Sequence, residues 1–261
     1  MGAQDRWTRL LDALGERGSL GSGEAAELVD CSVSTVRRDL DTLDRQMLLT
    51  RTHGGAALGA VTHALPLSYR TTSRAGRKER IAKAAADLIP PGSTVGINGG
   101  STTSVVAREL SVRSGPAEET GAPALTVVTN AINIAVELAI RPRIKLVVTG
   151  GIARTNSYDL VGPLAALPVQ GLSLDYAVLG VDAVHPHFGA ATRDQEAATA
   201  DRALAERAAT VIVVADSSKL GRRAFAQICP TGSLSVLVTD SGAPKEITEE
   251  FGQRNVDVLC V

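Results

Sequence analysis

Ser32, Ser34, Thr35, Arg37 and Arg38 crowd into one short stretch, and Arg51 and His53 follow shortly after. Such a set suits nucleic acid. Arg can pair bidentately with a guanine edge, and Ser or Thr hydroxyls can take phosphates or bases. The same arginines could instead line a solvated helical face, as charge clusters usually do, and charge alone does not decide. A second set lies further along the chain. Gly99-Gly100-Ser101-Thr102-Thr103-Ser104 follows an apolar run that ends at Asn98. Small residues let a backbone approach a ligand, and the N–H groups of a helix N-terminus suit an anion. The turn lacks the Gly-Lys-Ser/Thr of a P-loop and the G-x-G-x-x-G fingerprint, which disfavours a nucleotide and leaves a simple phosphate. An ordinary strand-to-helix turn could have the same composition. Thr129-Asn130, Gly150-Gly151, Gly180-Val181-Asp182 and Asp216-Ser217-Ser218-Lys219 end similar runs. Taken alone, Asp216 and Lys219 would be a surface salt bridge worth under about 1 kcal/mol. Five polar strand ends together are the pattern of a small polar-ligand pocket.

Other chemistries find less support. His185-Pro186-His187 supplies two metal ligands where catalytic zinc needs three, so the segment reads as a loop and neither metal nor cofactor is expected. The three cysteines, Cys31, Cys229 and Cys260, are far apart and fit neither a disulfide framework nor a zinc site. Aromatic residues make up 3%, too few for a platform that stacks single-stranded bases. No apolar run reaches the roughly 18 residues of a membrane span, and the first residues lack signal-peptide character, so no membrane association and a cytoplasmic location are expected. A hydrophobic content of 44% excludes wholesale disorder.

The elements that would position these groups can be read from periodicity. The length of 261 residues allows one large α/β domain or two unequal ones. Trp7, Leu10, Leu11 and Leu14 predict an amphipathic helix over 5–17, closed by Gly18. A short helix fits 23–29, and Ser32 is an N-cap for a third helix with Val33, Val36, Leu40, Leu43 and Met47 as its buried stripe. Residues 48–56 read as a β-ribbon with a glycine turn. Three helices and a ribbon make a winged helix-turn-helix, whose recognition helix enters the major groove. Residues 57–76 have no sustained period and read as a connection. Strands are then expected at 94–98, 125–129, 144–149, 175–179, 210–215, 236–239 and 256–261. Helices are expected at 78–89, 102–110, 131–139, 196–208 and 245–254. That alternation predicts a largely parallel sheet covered on both faces, with ligands at the carboxyl ends of its strands.

The run Ser32-Val33-Ser34-Thr35-Val36-Arg37-Arg38-Asp39-Leu40, with Leu43, Leu48-Leu49 and Arg51-Thr52-His53-Gly54-Gly55-Ala56, resembles the signature of the DeoR family of bacterial transcriptional regulators. The chain departs from that pattern at Gln46-Met47, where the family has a glycine, and at Cys31, which stands for valine and reads as a packing residue. Lys78-Glu79-Arg80-Ile81-Ala82, the Gly-Gly-Ser-Thr-Thr turn, Val127-Val128-Thr129-Asn130, Val148-Thr149-Gly150-Gly151, Asp216–Lys219 and Val238-Thr239-Asp240 resemble the family's C-terminal effector domain.

The resemblance implies three segments: a winged helix-turn-helix over 1–57, a linker over 58–76, and an effector domain over 77–261. The last would be a mostly parallel α/β domain of ribose-5-phosphate-isomerase-like type. It implies a regulator, more a repressor than an activator, of carbohydrate genes, with a double-stranded DNA operator and a phosphorylated sugar as partners. Ser32, Ser34, Thr35, Arg37 and Arg38 would meet DNA, Arg38 at a base, and Arg51 and His53 would touch the backbone from the wing. Gly100, Ser101, Thr102 and Thr103 would hold phosphate. Asn98, Thr129, Asn130, Gly150, Gly151, Asp182, Glu196 and Lys219 would face the sugar or close the site, and Arg202 stands where the family often has lysine. Half-site recognition implies a homo-oligomer, a dimer or tetramer. The rival reading is an isomerase, but enzymes of that fold carry an acid pair where this chain has only Asp182 followed by Ala183. Residues 1–60 hold seven bases against nine acids, so DNA affinity must rest on a few placed arginines, and a shallow salt dependence follows.

Overall fold

Leu10, Leu11 and Leu14 are buried along one face of α1 (Ala3–Arg17), with Trp7 packed beside them. α2 (Ser22–Leu28) and α3 (Val33–Arg45) close over that face with Ala25, Val36, Leu40 and Leu43. The computed structural model describes residues 2–45, 48–57, 75–115 and 123–261. The chain divides into two compact units, Met1–Arg74 and Ala75–Val261. In the first, β1 lies between the first two helices (Ser19–Gly21) and joins β2 (Thr50–Thr52) and β3 (Gly55–Ala57) in an antiparallel sheet of order β1-β3-β2. The sequence reading anticipated the ribbon but not β1, which is too short to carry a pattern. A Cβ on Gly55 would fall 2.0 Å from the Leu20 carbonyl oxygen, so the close approach of β3 to β1 requires glycine there. Val33 departs from the expected stripe. It is the first residue of α3, lies beyond the packed core and is exposed. Met47 and Gln46, like residues 58–74 of the expected linker and its Pro66–Arg70 segment, lie outside the described residues.

The second unit opens with α4 (Ala75–Asp87), so residues 75 and 76, read from the sequence as linker, are helical. Next come β4 (Thr94–Ile97), α5 (Ser101–Arg113), β5 (Leu125–Thr129), α6 (Ile132–Ala139) and β6 (Ile144–Val148). An antiparallel pair, β7 (Ile152–Ala153) and β8 (Leu160–Val161), precedes α7 (Pro163–Ala166) and β9 (Leu174–Gly180). β10 (Ala183–His185) and β11 (Gly189–Thr192) lead to α8 (Gln195–Arg207) and β12 (Ala208–Val214). β13 (Ala226–Cys229), β14 (Val236–Thr239), α9 (Lys245–Gly252) and β15 (Asp257–Cys260) complete the chain.

Seven strands form one sheet of order β15-β14-β12-β9-β4-β5-β6, and every pairing in it is parallel. The central strands are buried on both sides, while the edge strands β6 and β15 are partly exposed. Ile81, Val106, Leu110 and Ile134 cover one face, and Leu204, Leu220 and Phe251 the other. The chain builds outward from β4 to β6, then returns beside β4 and builds the other way, so strand order reverses between β4 and β9. In open parallel sheets such a reversal opens a crevice at the strands' carboxyl ends. All seven strands fall close to where their sequence runs predict them. The smaller sheets, β7-β8 and β10-β11-β13, were not anticipated, since they are short and carry alanine and glycine rather than β-branched runs. One consequence is a correction at His185-Pro186-His187: His185 closes β10, and only Pro186 and His187 lie in the turn. Helix α8 ends at Arg207, and Ala208 opens β12 with no loop between them.

Candidate functional site

In the first unit, Ser32 caps α3 as its sequence position predicts: its Oγ accepts the Thr35 N–H at 3.2 Å. The same oxygen lies 2.8 Å from Ser34 Oγ and 2.9 Å from Thr35 Oγ1, so three hydroxyls meet at the helix start. Arg37 and Arg38 are exposed, one turn on, opposite the stripe of Val36, Leu40 and Leu43. Asp39 behaves differently from its two neighbours. It is buried and accepts Arg6 Nε at 2.8 Å, Arg6 Nη2 at 3.2 Å and Trp7 Nε1 at 2.7 Å. That contact raises the Arg6 pKa and ties the recognition helix to α1. Arg51 is half-buried and faces α3 and its own strand turn, whereas His53 is exposed. Cys31 packs against the core, as a small apolar residue would.

In the second unit, the carboxyl ends of β4, β5, β6, β9 and β12 bring most of the polar strand ends together, and the local chemistry divides them into two kinds. Some are braces. Asn98 is buried and acts like an extra rung between the central strands. Its Nδ2 donates to the Gly180 carbonyl at 2.9 Å and its Oδ1 accepts the Gly180 N–H at 2.8 Å. Thr129 Oγ1 donates to the Ile97 carbonyl at 2.6 Å and accepts the Ala131 N–H at 3.1 Å. Gly150 and Gly151 have φ of 87° and 124°, and a Cβ on Gly151 would meet the Val161 carbonyl oxygen at 2.7 Å. These two glycines let the end of β6 lie against β8.

Other polar groups gather at the start of α5 and on the neighbouring strand ends. α5 starts directly after Gly99-Gly100, no side chain caps its N-terminus, and Ser101, Thr102 and Thr103 are buried there. Thr103 Oγ1 and Ser104 Oγ both donate to the Gly100 carbonyl, at 3.1 and 2.7 Å. The Asp159 carboxylate, from the β7-β8 hairpin, packs directly on Gly99. Asn130 donates to the Leu160 carbonyl at 3.2 Å, while its buried Oδ1 has no hydrogen-bond partner. Asp182 accepts Thr192 Oγ1 at 3.0 Å and the Arg193 N–H at 3.1 Å. Burial pushes its pKa up, but Lys219 and the Arg193 N–H outweigh that, and the net direction is down. Lys219 donates to the Val181 carbonyl at 2.6 Å, so it serves Asp182's end of β9; Asp216 bonds to Ser218 instead. Glu196 is exposed on the first turn of α8. Arg202 points to the carbonyls of Gln227 and Ile228 on β13, where it fastens α8 to the small sheet.

The sequence reading missed Asp201. It is buried on α8 and accepts Asn98 Nδ2 at 2.8 Å and Asn130 Nδ2 at 3.5 Å. Burial pushes its pKa well above the usual carboxylate range, nearby Asp159 and Asp182 push the same way, and the two asparagines only partly offset them. A signal was present, because Asp201 interrupts the otherwise apolar stripe Ala197, Ala198, Ala200, Leu204 and Ala205. Among the described residues, no group of three or more His, Cys, Asp or Glu side chains could hold a metal ion, and no helix is long and apolar enough to cross a membrane.

A winged helix-turn-helix with outward arginines, followed by a parallel α/β unit with polar groups gathered at its strand ends, has the build of a DNA-binding regulator that carries its own sensor. Comparison with known families agrees on both parts. The DeoR-like helix-turn-helix domain matches residues 6–60 and the DeoR C terminal sensor domain matches residues 73–241. The chain belongs to the DeoR family of transcriptional regulators, and it is a regulator rather than an enzyme. It is 31% identical to the HTH-type transcriptional repressor CsqR of Escherichia coli K12, over 97% of this chain and 94% of that protein. It is 28% identical to the glycerol-3-phosphate regulon repressor of the same organism, over 98% of each chain. Among solved structures, ribose 5-phosphate isomerase A from Methanocaldococcus jannaschii is similar at 21% identity and a TM-score of 0.41. That match covers 56% of this chain and 55% of the other, too loose to speak to activity.

Proposed function

We propose that the protein is a repressor of carbohydrate genes whose α/β unit takes a phosphorylated sugar, and that this ligand weakens DNA binding. One observation carries the reading. The uncapped start of α5 lies beside the reversal of strand order, with Asn130, Asp182 and Lys219 on neighbouring strand ends. Helix N–H groups at such a place suit a phosphate, and acceptors around it suit hydroxyls. Ser101, Thr102 and Thr103 would take the phosphate, while Asn130, Asp182 and Glu196 would take hydroxyls. Asn98, Thr129, Gly150 and Gly151 would shape the crevice, Lys219 would balance its charge, and Arg202 would hold its outer wall. Among the relatives, a glycerol-3-phosphate regulon repressor and a putative aga operon repressor of Escherichia coli O157:H7 point the same way.

Ser32, Ser34, Thr35, Arg37, Arg38 and His53 would contact operator DNA, with Arg38 at a base. Two half-sites call for a homo-oligomer, a dimer or tetramer, acting in the cytoplasm. The effector must prefer the state with lower DNA affinity, because equal affinity for both states shifts nothing. The test is a thermal-shift screen of the full chain against phosphorylated sugars, followed by a mobility-shift assay on its own upstream DNA with each hit. A hit should raise the melting temperature and release the DNA. Stabilisation by free sugars or nucleosides but by no sugar phosphate would remove the phosphate assignment.

A further inference from the structure

Arg51 sits in the wing segment where a basic side chain is expected to reach the DNA backbone, yet its side chain is committed within the unit. Its Nε lies 2.9 Å from Asp41 Oδ1 on α3, its Nη1 donates to the Gly55 carbonyl of the facing strand, and its backbone N–H donates to Asp44 Oδ1 at 3.2 Å. The side chain is only 27% exposed. Three contacts from one residue therefore join the recognition helix to both strands of the wing. Arg37 and Arg38, by contrast, face solvent. From this geometry we infer that Arg51 is a positioning residue: with Asp41 as its counter-charge, it sets the wing's angle to the recognition helix and makes no phosphate contact of its own. Asp41 acquires a role in DNA binding by the same geometry, although its charge repels phosphate. The inference rests on the DNA-binding reading and deepens it.

The two roles of Arg51 have opposite signatures. A phosphate contact releases counterions, so its loss lowers the slope of log affinity against log salt by about 0.9. A positioning residue leaves that slope unchanged and lowers affinity at every salt concentration. Asp41→Asn is the sharper probe, since electrostatics alone makes it bind DNA more tightly, whereas loss of a strut makes it bind more weakly. Arg51→Lys keeps the charge but not the guanidinium geometry that spans Asp41 and Gly55.

The experiment measures full-chain wild type, Arg51→Ala, Arg51→Lys, Asp41→Asn and the Arg51→Ala/Asp41→Asn double variant across a salt series. Two duplexes are used, one from the region upstream of the protein's own gene and one of random sequence and equal length. Melting curves confirm that each variant folds. All three single variants should lose about two- to fivefold in affinity for the upstream duplex, the range an ion pair of this exposure supports. The double variant should lose no more than Arg51→Ala, and no salt slope should change. Tighter binding by Asp41→Asn, a slope lowered by one phosphate in Arg51→Ala, or wild-type affinity in Arg51→Lys overturns the inference. A wild type that prefers neither duplex removes the operator reading instead, and the random duplex still reports the slopes.

Discussion

The two units solve opposite problems with the same kinds of residue. In the first, Arg37 and Arg38 face outward while the aspartates beside them are turned to internal use, Asp39 against Arg6 and Trp7, Asp41 against Arg51. In the second, the polar groups face inward at the ends of buried strands, and Asp201 and Asn130 are almost fully covered. A DNA-reading surface must leave its cations exposed because its ligand is large and lies outside. A small-molecule site must surround its ligand, so its polar groups are hydrogen-bonded to one another first. An acid therefore serves as a brace in one unit and, in the other, would form part of the proposed ligand's surroundings.

The comparison is broken most directly at the recognition helix. Arg37→Ala/Arg38→Ala should lower affinity for the upstream duplex by about 100-fold, since a bidentate base contact is worth roughly 1–3 kcal/mol. Its melting curve should match wild type, because both side chains are exposed. Equal binding by variant and wild type in a mobility-shift assay would remove the outward-arginine half of the contrast. Lys219→Ala comes next. It frees the Val181 carbonyl and removes the cation beside Asp182, and should weaken a sugar-phosphate hit about tenfold by calorimetry, the weight of a charged hydrogen bond. Affinity for DNA without effector should be unaltered. Asp39→Ala should then remove the acceptor shared by Arg6 and Trp7 Nε1 and lower thermal stability and DNA affinity together, which separates it from Arg37, whose loss affects binding alone.

The smallest effect is a pH dependence of opposite sign at two acids of one rim. The folded-state pKa of Asp201 is raised above its unfolded value. Its contribution to stability is therefore complete below the ordinary carboxylate range and is lost as pH rises through the folded value. Asp182 is shifted down, so its contribution is present above the ordinary range and is lost as pH falls through the folded value. Denaturation series across pH should show Asp201→Asn flattening the alkaline side of the stability profile and Asp182→Asn the acid side. A reversed assignment would mean the rim's electrostatics differ from those described.

Local pattern made much of this legible. The seven parallel strands and their helices follow from β-branched runs and apolar periodicity, and the α3 cap follows from Ser32 alone. What escaped depends on partners distant in sequence. Asp39 reads as one more charge beside two arginines until Arg6 and Trp7 close on it. Arg202 reads as a ligand-facing cation until β13, which lacks a β-branched run, occupies its donors. Thr129 and Asn98 look like ligand groups because a polar residue at a strand end has the same composition whether it binds a ligand or braces a neighbouring strand. Asp201 is not legible as a site residue because it lies mid-helix, and only the fold brings it against Asn98 and Asn130 at the strand ends.

The Asn98–Gly180 bond at the centre of the sheet joins residues 82 positions apart, and this has a consequence for synthesis. Emerging from the ribosome at about 5–20 residues per second, the chain exposes one edge of β4 for roughly 4–16 seconds before β9 can pair with it. The DNA-reading unit, whose described contacts all lie within residues 2–57, needs no such wait. A nascent chain can therefore form its DNA-reading fold well before its sensor closes, and during that interval the unpaired edge of β4 is open to non-native strand pairing.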